Sequence, residues 1–463
     1  MKVSENQLVK TIIALFFTIG CFVIFHYNGT GDTGDSIMHY LYARYAPLHP
    51  ELFFHHWAKP LFVLLASPFA QFGFNGIKFF NLLNATLTLW LTYKLAKQLD
   101  FPNPIIAILI LATCSGYFTL TFSGLTEHLF AMLLVLAVLQ IVQERFILGS
   151  LIVSFLPFVR SEGLLMLGVI GLFFLIKKQW KALSVLSVGH IVYGLAGATV
   201  HGSVFWIFTK IPYASMSAYV DDKANLFDFV EKLYYFTGIP QFAFWVLGIV
   251  AIGFLIKKHP PQYMNVLTLV YGSFLALFIA HSLFWYYGIF LSMGLSRVLN
   301  AVMPMFALIS LCGFNFLQTF LRNEQLKRAV NFLLISILLI FPLTSNPAAI
   351  RPKKNLILED NQEVAANIAG FLKAQYPDHT YYLLHPQLAL SLDVDYFDTT
   401  KIKDFGKYWK EPLPKNAILI WDSWFCVVDA DISLDKVDSD ARLERINNYP
   451  AKNNWQFVVY RVK

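Results

Sequence analysis

Residues 27–62 read YNGTGDTGDSIMHYLYARYAPLHPELFFHHWAKPLF. This stretch gathers Asp32, Asp35, His39, Arg44, Glu51, His55, His56 and Lys59 into one loop between apolar segments. Nearly everything around it, out to about residue 345, is apolar. The chain of 463 residues is 57% hydrophobic, 16% aromatic and only 14% charged. A soluble domain carries about 25% charge. The composition therefore describes an integral membrane protein, and a polar, acidic loop beside a lipid-embedded body directs attention to chemistry at the bilayer surface. The formal charge of +7 does not call for nucleic acid. Lys and Arg cluster in short loops, where they act as topology signals. Cys21, Cys114, Cys312 and Cys426 show neither a disulfide framework nor zinc-ligand spacing.

A spanning helix takes about 20 mostly apolar residues. Eleven stretches are candidates: 10–27, 76–96, 104–123, 125–143, 146–160, 162–177, 182–208, 238–256, 263–284, 298–320 and 329–346. Residues 60–72 are apolar but too short to span, and read as a re-entrant or interfacial piece leading into the next helix. No small-residue cleavage site follows the first apolar run, so it reads as an uncleaved span. With the N-terminus cytoplasmic, thirteen Lys and Arg fall in inside loops, from Lys2 and Lys10 to Arg322, Lys327 and Arg328. Seven fall outside, Lys223 among them. That excess supports the orientation, and an odd span count puts the tail outside. Residues 347–463 are a different material, charged and without a span. A helix fits 359–375, and strands fit 380–385, 417–422 and 455–462. The expected fold is a polytopic α-helical membrane protein of about eleven transmembrane helices, residues 1–346, with a small extracytoplasmic α/β domain, residues 347–463.

Under this topology the unusual polar residues collect on the outer side. Asp32 and Asp35 open the first loop, Glu127-His128 begins the fourth span, Arg160 and Glu162 separate two short helices, and Arg297 ends another loop. Ionisable groups at membrane depth cost about 2.5–3.5 kcal/mol or more, so several at one level point to a shared, water-accessible cavity. Each also has a plainer reading. Asp32 and Asp35, beside Gly31 and Gly34, suit turns, and Asp35 suits a helix cap. Glu127 fits an interfacial residue, Arg160 and Glu162 a structural ion pair, and Arg297 a snorkelling anchor. His55 and His56 could bind a metal, but adjacent histidines point different ways, and packing beside Trp57 is favoured.

Taken together, these residues resemble the glycosyltransferase-C superfamily of polytopic transferases that use lipid-phosphate sugars. The dolichyl-phosphate-mannose mannosyltransferases and the bacterial lipid A aminoarabinose transferases belong to it. The acidic motif of the first outer loop is matched by GDTGDS, and the passage into the second helix by HPELFFHHWAKPLFVLLASPF. SGLTEHLFAMLLVLAVL is similar to the family's Thr-Glu-Pro helix start, with His128 in place of Pro. LPFVRSEGLLML is similar to its Arg-Pro-Glu-Gly turn, with Ser161 in place of Pro. HSLFWYYGIFLSMGLSRVLNAVMPMFALI resembles its late Gly-x-x-Arg passage, with Pro304 downstream. The resemblance covers about residues 10–345.

The resemblance implies inverting transfer from a polyprenyl-phosphate sugar to a glycan, lipid or protein acceptor at the outer face of a bilayer, in a bacterial inner membrane. It implies Asp35 as the base, Asp32 in reserve, and Glu127 as a further acidic group. Arg160, Arg297 and Lys59 are then cations for the donor phosphate, and Glu162, His55 and His56 substrate contacts. A monophosphate can leave without a metal, so a divalent metal stays open and no other cofactor is implied. Two other classes compete: a lipid-linked sugar transporter or flippase, and a non-catalytic membrane assembly protein. The polar cluster lies at the outer edge rather than mid-bilayer, and no internal repeat is evident, which favours the enzyme.

Overall fold

The computed structural model describes residues 4–212, 224–258, 262–344, 346–410 and 412–463. Lys2 and Lys223 of the charge count lie outside these residues. Among the described residues, five helices are long and apolar enough to cross a membrane: Glu5–His26, Trp180–His201, Tyr263–Tyr287, Ser296–Gln318 and Glu324–Leu343. The protein is thus a polytopic helical membrane protein. Several of the remaining apolar stretches form shorter pieces. The stretch 104–123 breaks at Cys114 into Ile105–Thr113 and Ser115–Leu120. Glu127–Val142 and Gly163–Ile176 are single helices. At 1.5 Å per residue these reach only about 20–25 Å, short of a hydrocarbon core about 30 Å thick. The piece at 60–72 is the helix Pro60–Ala70, which turns by 120° into Phe74–Gln98.

Ser296–Gln318 runs through the middle of the bundle and is almost wholly buried, whereas Glu324–Leu343 lies at its edge. The helix Met303–Gln318 packs on Ile239–Lys258 backbone to backbone. A methyl group at Gly313 would strike the carbonyl of Phe244, and one at Gly248 that of Ile309. Small residues give lipid-embedded helices this close approach, where hydrophobic driving force between helices is absent.

The tail contains a five-stranded sheet. Its strands are β1 (Thr380–Leu383), β2 (Ile402–Asp404), β3 (Ala417–Asp422), β4 (Leu443–Pro450) and β5 (Gln456–Val462). The order is β2-β1-β3-β5-β4, with β1 parallel to both β2 and β3 and β5 antiparallel to β3 and β4. Successive residues of the central strands face two different cores. Tyr381, Leu383, Ile418 and Ile420 join Ala365, Ile368 and Leu372 of the helix Asp360–Gln375. Tyr382, Leu419 and Trp421 join Phe405, Tyr408 and Val437 on the other side. Burial on both faces explains why AILIW reads as an apolar run rather than an alternation.

The tail sits on the loop that follows the first helix. Gly29 N–H donates to the Leu356 carbonyl at 2.8 Å, and Gln362 Nε2 to Thr30 Oγ1 at 2.8 Å. Arg44 pairs with Asp393 at 3.0 Å and His49 with Asp395 at 2.8 Å. Tyr45 donates its hydroxyl proton to the Val394 carbonyl at 2.8 Å.

Candidate active site

The first loop is fastened before it reaches its acidic residues. Gly31 has φ +76°, and a Cβ there would lie 2.6 Å from the Cβ of Ser123. Ser36 Oγ donates to the Thr30 carbonyl at 2.5 Å and accepts from Gly124 N–H at 2.7 Å. Asn81 Nδ2 holds the carbonyls of Ser123 and Leu125 at 2.7 and 2.9 Å. These bonds press the loop against the turn that leads into Glu127.

The two loop aspartates divide their work. Asp32 Oδ1 accepts from the backbone N–H of Gly34 at 2.7 Å and of Ser36 at 3.3 Å. Asp35 is the first residue of the helix Asp35–Tyr45, whose N-cap residue, Gly34, has no side chain to cap it. The capping role that Asp35 suited therefore falls to Asp32, which the turn geometry places two residues before Gly34 N–H. The Oδ2 atoms of both aspartates accept from the guanidinium of Arg297, Asp32 through Nη1 and Asp35 through Nη2. The side chain of Asp35 remains 45% exposed, so this carboxylate is the one open to a ligand.

Behind this pair lies a second one. Arg160 Nη1 is 2.7 Å from Glu127 Oε1, and its Nη2 donates to Glu162 Oε1 at 2.7 Å. Thr126 Oγ1 accepts from Arg160 Nη1 at 3.1 Å. Arg297 Nε lies 3.9 Å from Glu127 Oε1, which links the two groups. Glu127 is 1% exposed, and its contact with Arg160 is an ion pair off the hydrogen-bond line: neither carboxylate oxygen has a hydrogen-bond partner. Burying charge is favourable only where partners are close and well placed, and here four carboxylates share two guanidinium forks.

Lys59 is the third cation. Its Nζ donates to Ser161 Oγ at 2.9 Å, and it makes no ion pair among the described residues. Burial pushes its ammonium down to about 8, against the raising pull of Glu162. The backbone at Lys59 has φ 69° and ψ 96° just before Pro60. A side-chain-bearing residue there is strained, and proline further narrows what its predecessor adopts.

His55 and His56 do turn apart. His55 Nδ1 accepts from Ala58 N–H at 3.3 Å, while His56 Nε2 meets the Ile207 carbonyl at 3.1 Å. Burial pushes His55 down to about 4 and lowers His56. Neither touches the charged cluster directly. Among the described residues no three His, Cys, Asp or Glu side chains lie together as a metal site.

The sequence matches no protein-family model and no curated protein. The architecture does match solved structures. ArnT from Cupriavidus metallidurans bound to undecaprenyl phosphate has a TM-score of 0.63 at 10% identity, over 99% of this chain and 98% of that one. ArnT from the same organism in the apo state gives 0.60 at 10% identity over the same shares. This chain has the fold of ArnT. The match takes in the helical body and the tail together.

Within that ArnT fold, three residues near the cluster had been given no role from the sequence. His39 stacks on Trp57 with ring centres 4.8 Å apart. Burial first, then Arg297, Lys59 and Arg160, push it down to about 3, so it stays neutral. His281 Nε2 lies 3.3 Å from Glu162 Oε1. Asn300, three residues past Arg297, is fully buried with both amide atoms unpartnered. A lone polar residue inside the apolar run RVLNAVMPM was the signal available for Asn300. Two cavities flank the cluster. One of about 310 Å³ includes Gly31, Thr119, Ser296 and Arg297 in its walls, and one of about 40 Å³ includes His56, Ser161, Leu164 and His190.

Proposed function

We propose that the chain is a glycosyltransferase that moves a sugar from a polyprenyl-phosphate carrier to a glycan, lipid or protein acceptor at the outer face of the membrane. The observation that carries this reading is Arg297 holding Asp32 and Asp35 at the cluster's mouth while Lys59 keeps an ammonium free of carboxylates. The chemistry needs those two things: a base for the acceptor hydroxyl, and a cation for a departing phosphate. The undecaprenyl phosphate bound to ArnT supports a lipid phosphate as the donor's carrier.

In the proposed step the acceptor oxygen attacks the anomeric carbon from the side opposite the phosphate. The new C–O bond forms as the C–O bond to phosphate breaks, which inverts the centre. Asp35 takes the hydroxyl proton, and the phosphate leaves with the electron pair. General-base help of this kind is worth about 10²–10⁴ in rate. Asp32, occupied by the turn amides, is the reserve base. Glu127 is a further acidic group that binds the acceptor or shapes the field of Arg160 and Arg297.

The charge on the leaving oxygen needs donors already in place. Lys59 is the readiest, because Arg160 and Arg297 are engaged by carboxylates, and both forks suit phosphate when those contacts loosen. Glu162 orients Arg160, and His55 and His56 contact substrate along the loop. The reading carries an eleven-span topology with a cytoplasmic N-terminus, residues 347–463 as an extracytoplasmic domain, and a bacterial inner membrane as the site. A divalent metal stays open.

The test is purified protein in nanodiscs with radiolabelled polyprenyl-phosphate sugars and membrane glycolipid acceptors. Sugar appearing on an acceptor supports the transferase. Sugar crossing the bilayer on its carrier without transfer makes the chain a flippase, and neither outcome leaves an assembly protein.

A further inference from the structure

The cavity of about 310 Å³ shares one wall with the charged cluster, at Arg297. It lies at the joint where residues 347–355 lead from the last long helix into the tail. Its walls include Ser115, Thr119, Ser296, Tyr235 and Asn355, of which Ser115 Oγ donates to the Ala348 carbonyl and Asn355 Oδ1 accepts from Arg351 N–H. Thr119 Oγ1 donates back to the Ser115 carbonyl at 2.9 Å, which leaves its lone pairs facing outward from that bond. Arg297 is the one cation in this wall, and its guanidinium already serves Asp32 and Asp35. With its charge already balanced by two carboxylates, this cation offers little attraction to an anion in the cavity. A neutral, hydroxyl-rich group needs none and meets the polar side chains of Thr119, Ser296 and Tyr235.

The small cavity has the opposite character. Pro157, Phe158, Leu164, Ile207 and Phe208 make up most of its lining, with His56, His190 and Ser161, the partner of Lys59, beside them. The cluster thus has a polar approach at Asp32, Asp35 and Arg297 and an apolar approach at Lys59 and Ser161. An acceptor hydroxyl must reach a base, whereas a lipid phosphate must reach an unpaired cation.

Resting on the transferase reading, we propose that the cavity bounded by Thr119, Ser296, Arg297 and Asn355 binds the acceptor through an uncharged, hydroxyl-bearing ring of the sugar type. It thereby presents one hydroxyl to the loop aspartates, while the donor lipid enters from the side of Lys59.

The test uses the full chain in nanodiscs with two reporters, Thr119→Cys and Ser296→Cys, made separately. Cys114, Cys312 and Cys426 are buried and Cys21 is half-buried, so alkylation by a small maleimide is read at each reporter's own peptide by mass spectrometry. The probes are methyl glucoside, methyl galactoside and methyl mannoside in turn, and undecaprenyl phosphate. The expected result is alkylation at least tenfold slower at both reporters with one or more glycosides, and unchanged within twofold with undecaprenyl phosphate. Protection by undecaprenyl phosphate would overturn the inference by giving the cavity to the donor. Protection by none of the four would also overturn it, because the cavity then takes no sugar. Thermal stabilisation of the unaltered protein by undecaprenyl phosphate is measured alongside. If that fails while a glycoside protects the reporters, the transferase reading falls and the sugar site stands.

Discussion

The ammonium of Lys59 lies 2.9 Å from the hydroxyl of Ser161, the residue between Arg160 and Glu162. This contact ties the first polar loop to the turn between two short helices, 102 residues away along the chain. A serine oxygen is a weak partner for a half-buried cation, and a phosphate oxygen is a strong one. Lys59→Met should therefore weaken undecaprenyl phosphate binding by about 10- to 150-fold, the range of about 1.5–3 kcal/mol for a charged hydrogen bond. Folding should be unaffected. The unaltered protein should also lose affinity as pH rises through about 8, where burial has placed the loss of this proton. Dissociation constants measured from pH 7 to pH 9.5 check the sign: an affinity that rises with pH in that window is incompatible with Lys59 as the phosphate cation.

The forks of Arg160 and Arg297 are used at both ends. Arg297 spans Asp32 and Asp35, and Arg160 spans Glu127 and Glu162. Lysine keeps the charge and loses the planar two-pronged geometry. Arg297→Lys and Arg160→Lys should each lower kcat/KM at least tenfold while leaving expression intact. Wild-type kinetics in both variants would remove the two arginines from the mechanism.

Much of this cluster was legible because ionisable residues are rare in apolar sequence. Asp32, Asp35, Glu127, Arg160, Glu162 and Arg297 stood out singly, and one cluster takes them all. What the sequence hid was pairing. GDTGDS suggested turns for both aspartates, but not that Asp32 alone is held by the amides of Gly34 and Ser36. Histidines were harder still, since His39 and His281 look like ordinary helix residues until the fold brings cations or carboxylates to them. In the tail, the central strands were readable because both faces are buried. The edge strand LERINNYP was not, because a bulge between Arg445 and Asn447 breaks its alternation and charges occupy its open side. The short β2, IKD, buries only Ile402.

The motif WDSWF in the tail looks like a site and is a cap. Asp422 ends β3, is fully buried, and accepts from the N–H groups of Trp424 at 3.0 Å and Phe425 at 2.6 Å. Burial pushes its carboxyl up to about 6, above a reference value of 3.8. The folded chain thus holds this proton where the unfolded chain has released it. Stability falls as pH climbs from about 4 to about 6, and the full cost stands above that. Asp422→Asn keeps an accepting oxygen for the cap and removes the buried charge. It should leave transfer near the wild-type level and raise Tm slightly at pH 7.5, with no gain at pH 4. Abolished transfer in a folded Asp422→Asn protein would instead make the tail part of the catalytic machinery.

The orientation read from Lys and Arg places the tail outside. Thr399 lies in an exposed loop between β1 and β2. Thr399→Cys should react with a membrane-impermeant maleimide in intact spheroplasts. Reaction only after lysis would invert the topology and move the whole cluster to the cytoplasmic side.

Asp35 offers the sharpest test, because the structure separates it from its neighbour. Both aspartates accept from Arg297, but only Asp32 is also tied to backbone amides, and Asp35 stays 45% exposed at the helix start. An accessible carboxylate at this place takes the proton late in the reaction, when the attacking hydroxyl has become acidic. Asp35→Asn keeps the shape and one accepting oxygen and removes the place for the proton. Transfer should fall by about 10² or more, with undecaprenyl phosphate binding largely retained, since the cation for the phosphate is elsewhere. Asp32→Asn keeps an oxygen for Gly34 and Ser36 and should cost less. Near-full transfer in Asp35→Asn together with abolished transfer in Asp32→Asn would reassign the base to Asp32. Full activity in both would take catalysis out of the first loop, and with it the reason for reading this fold as a transferase.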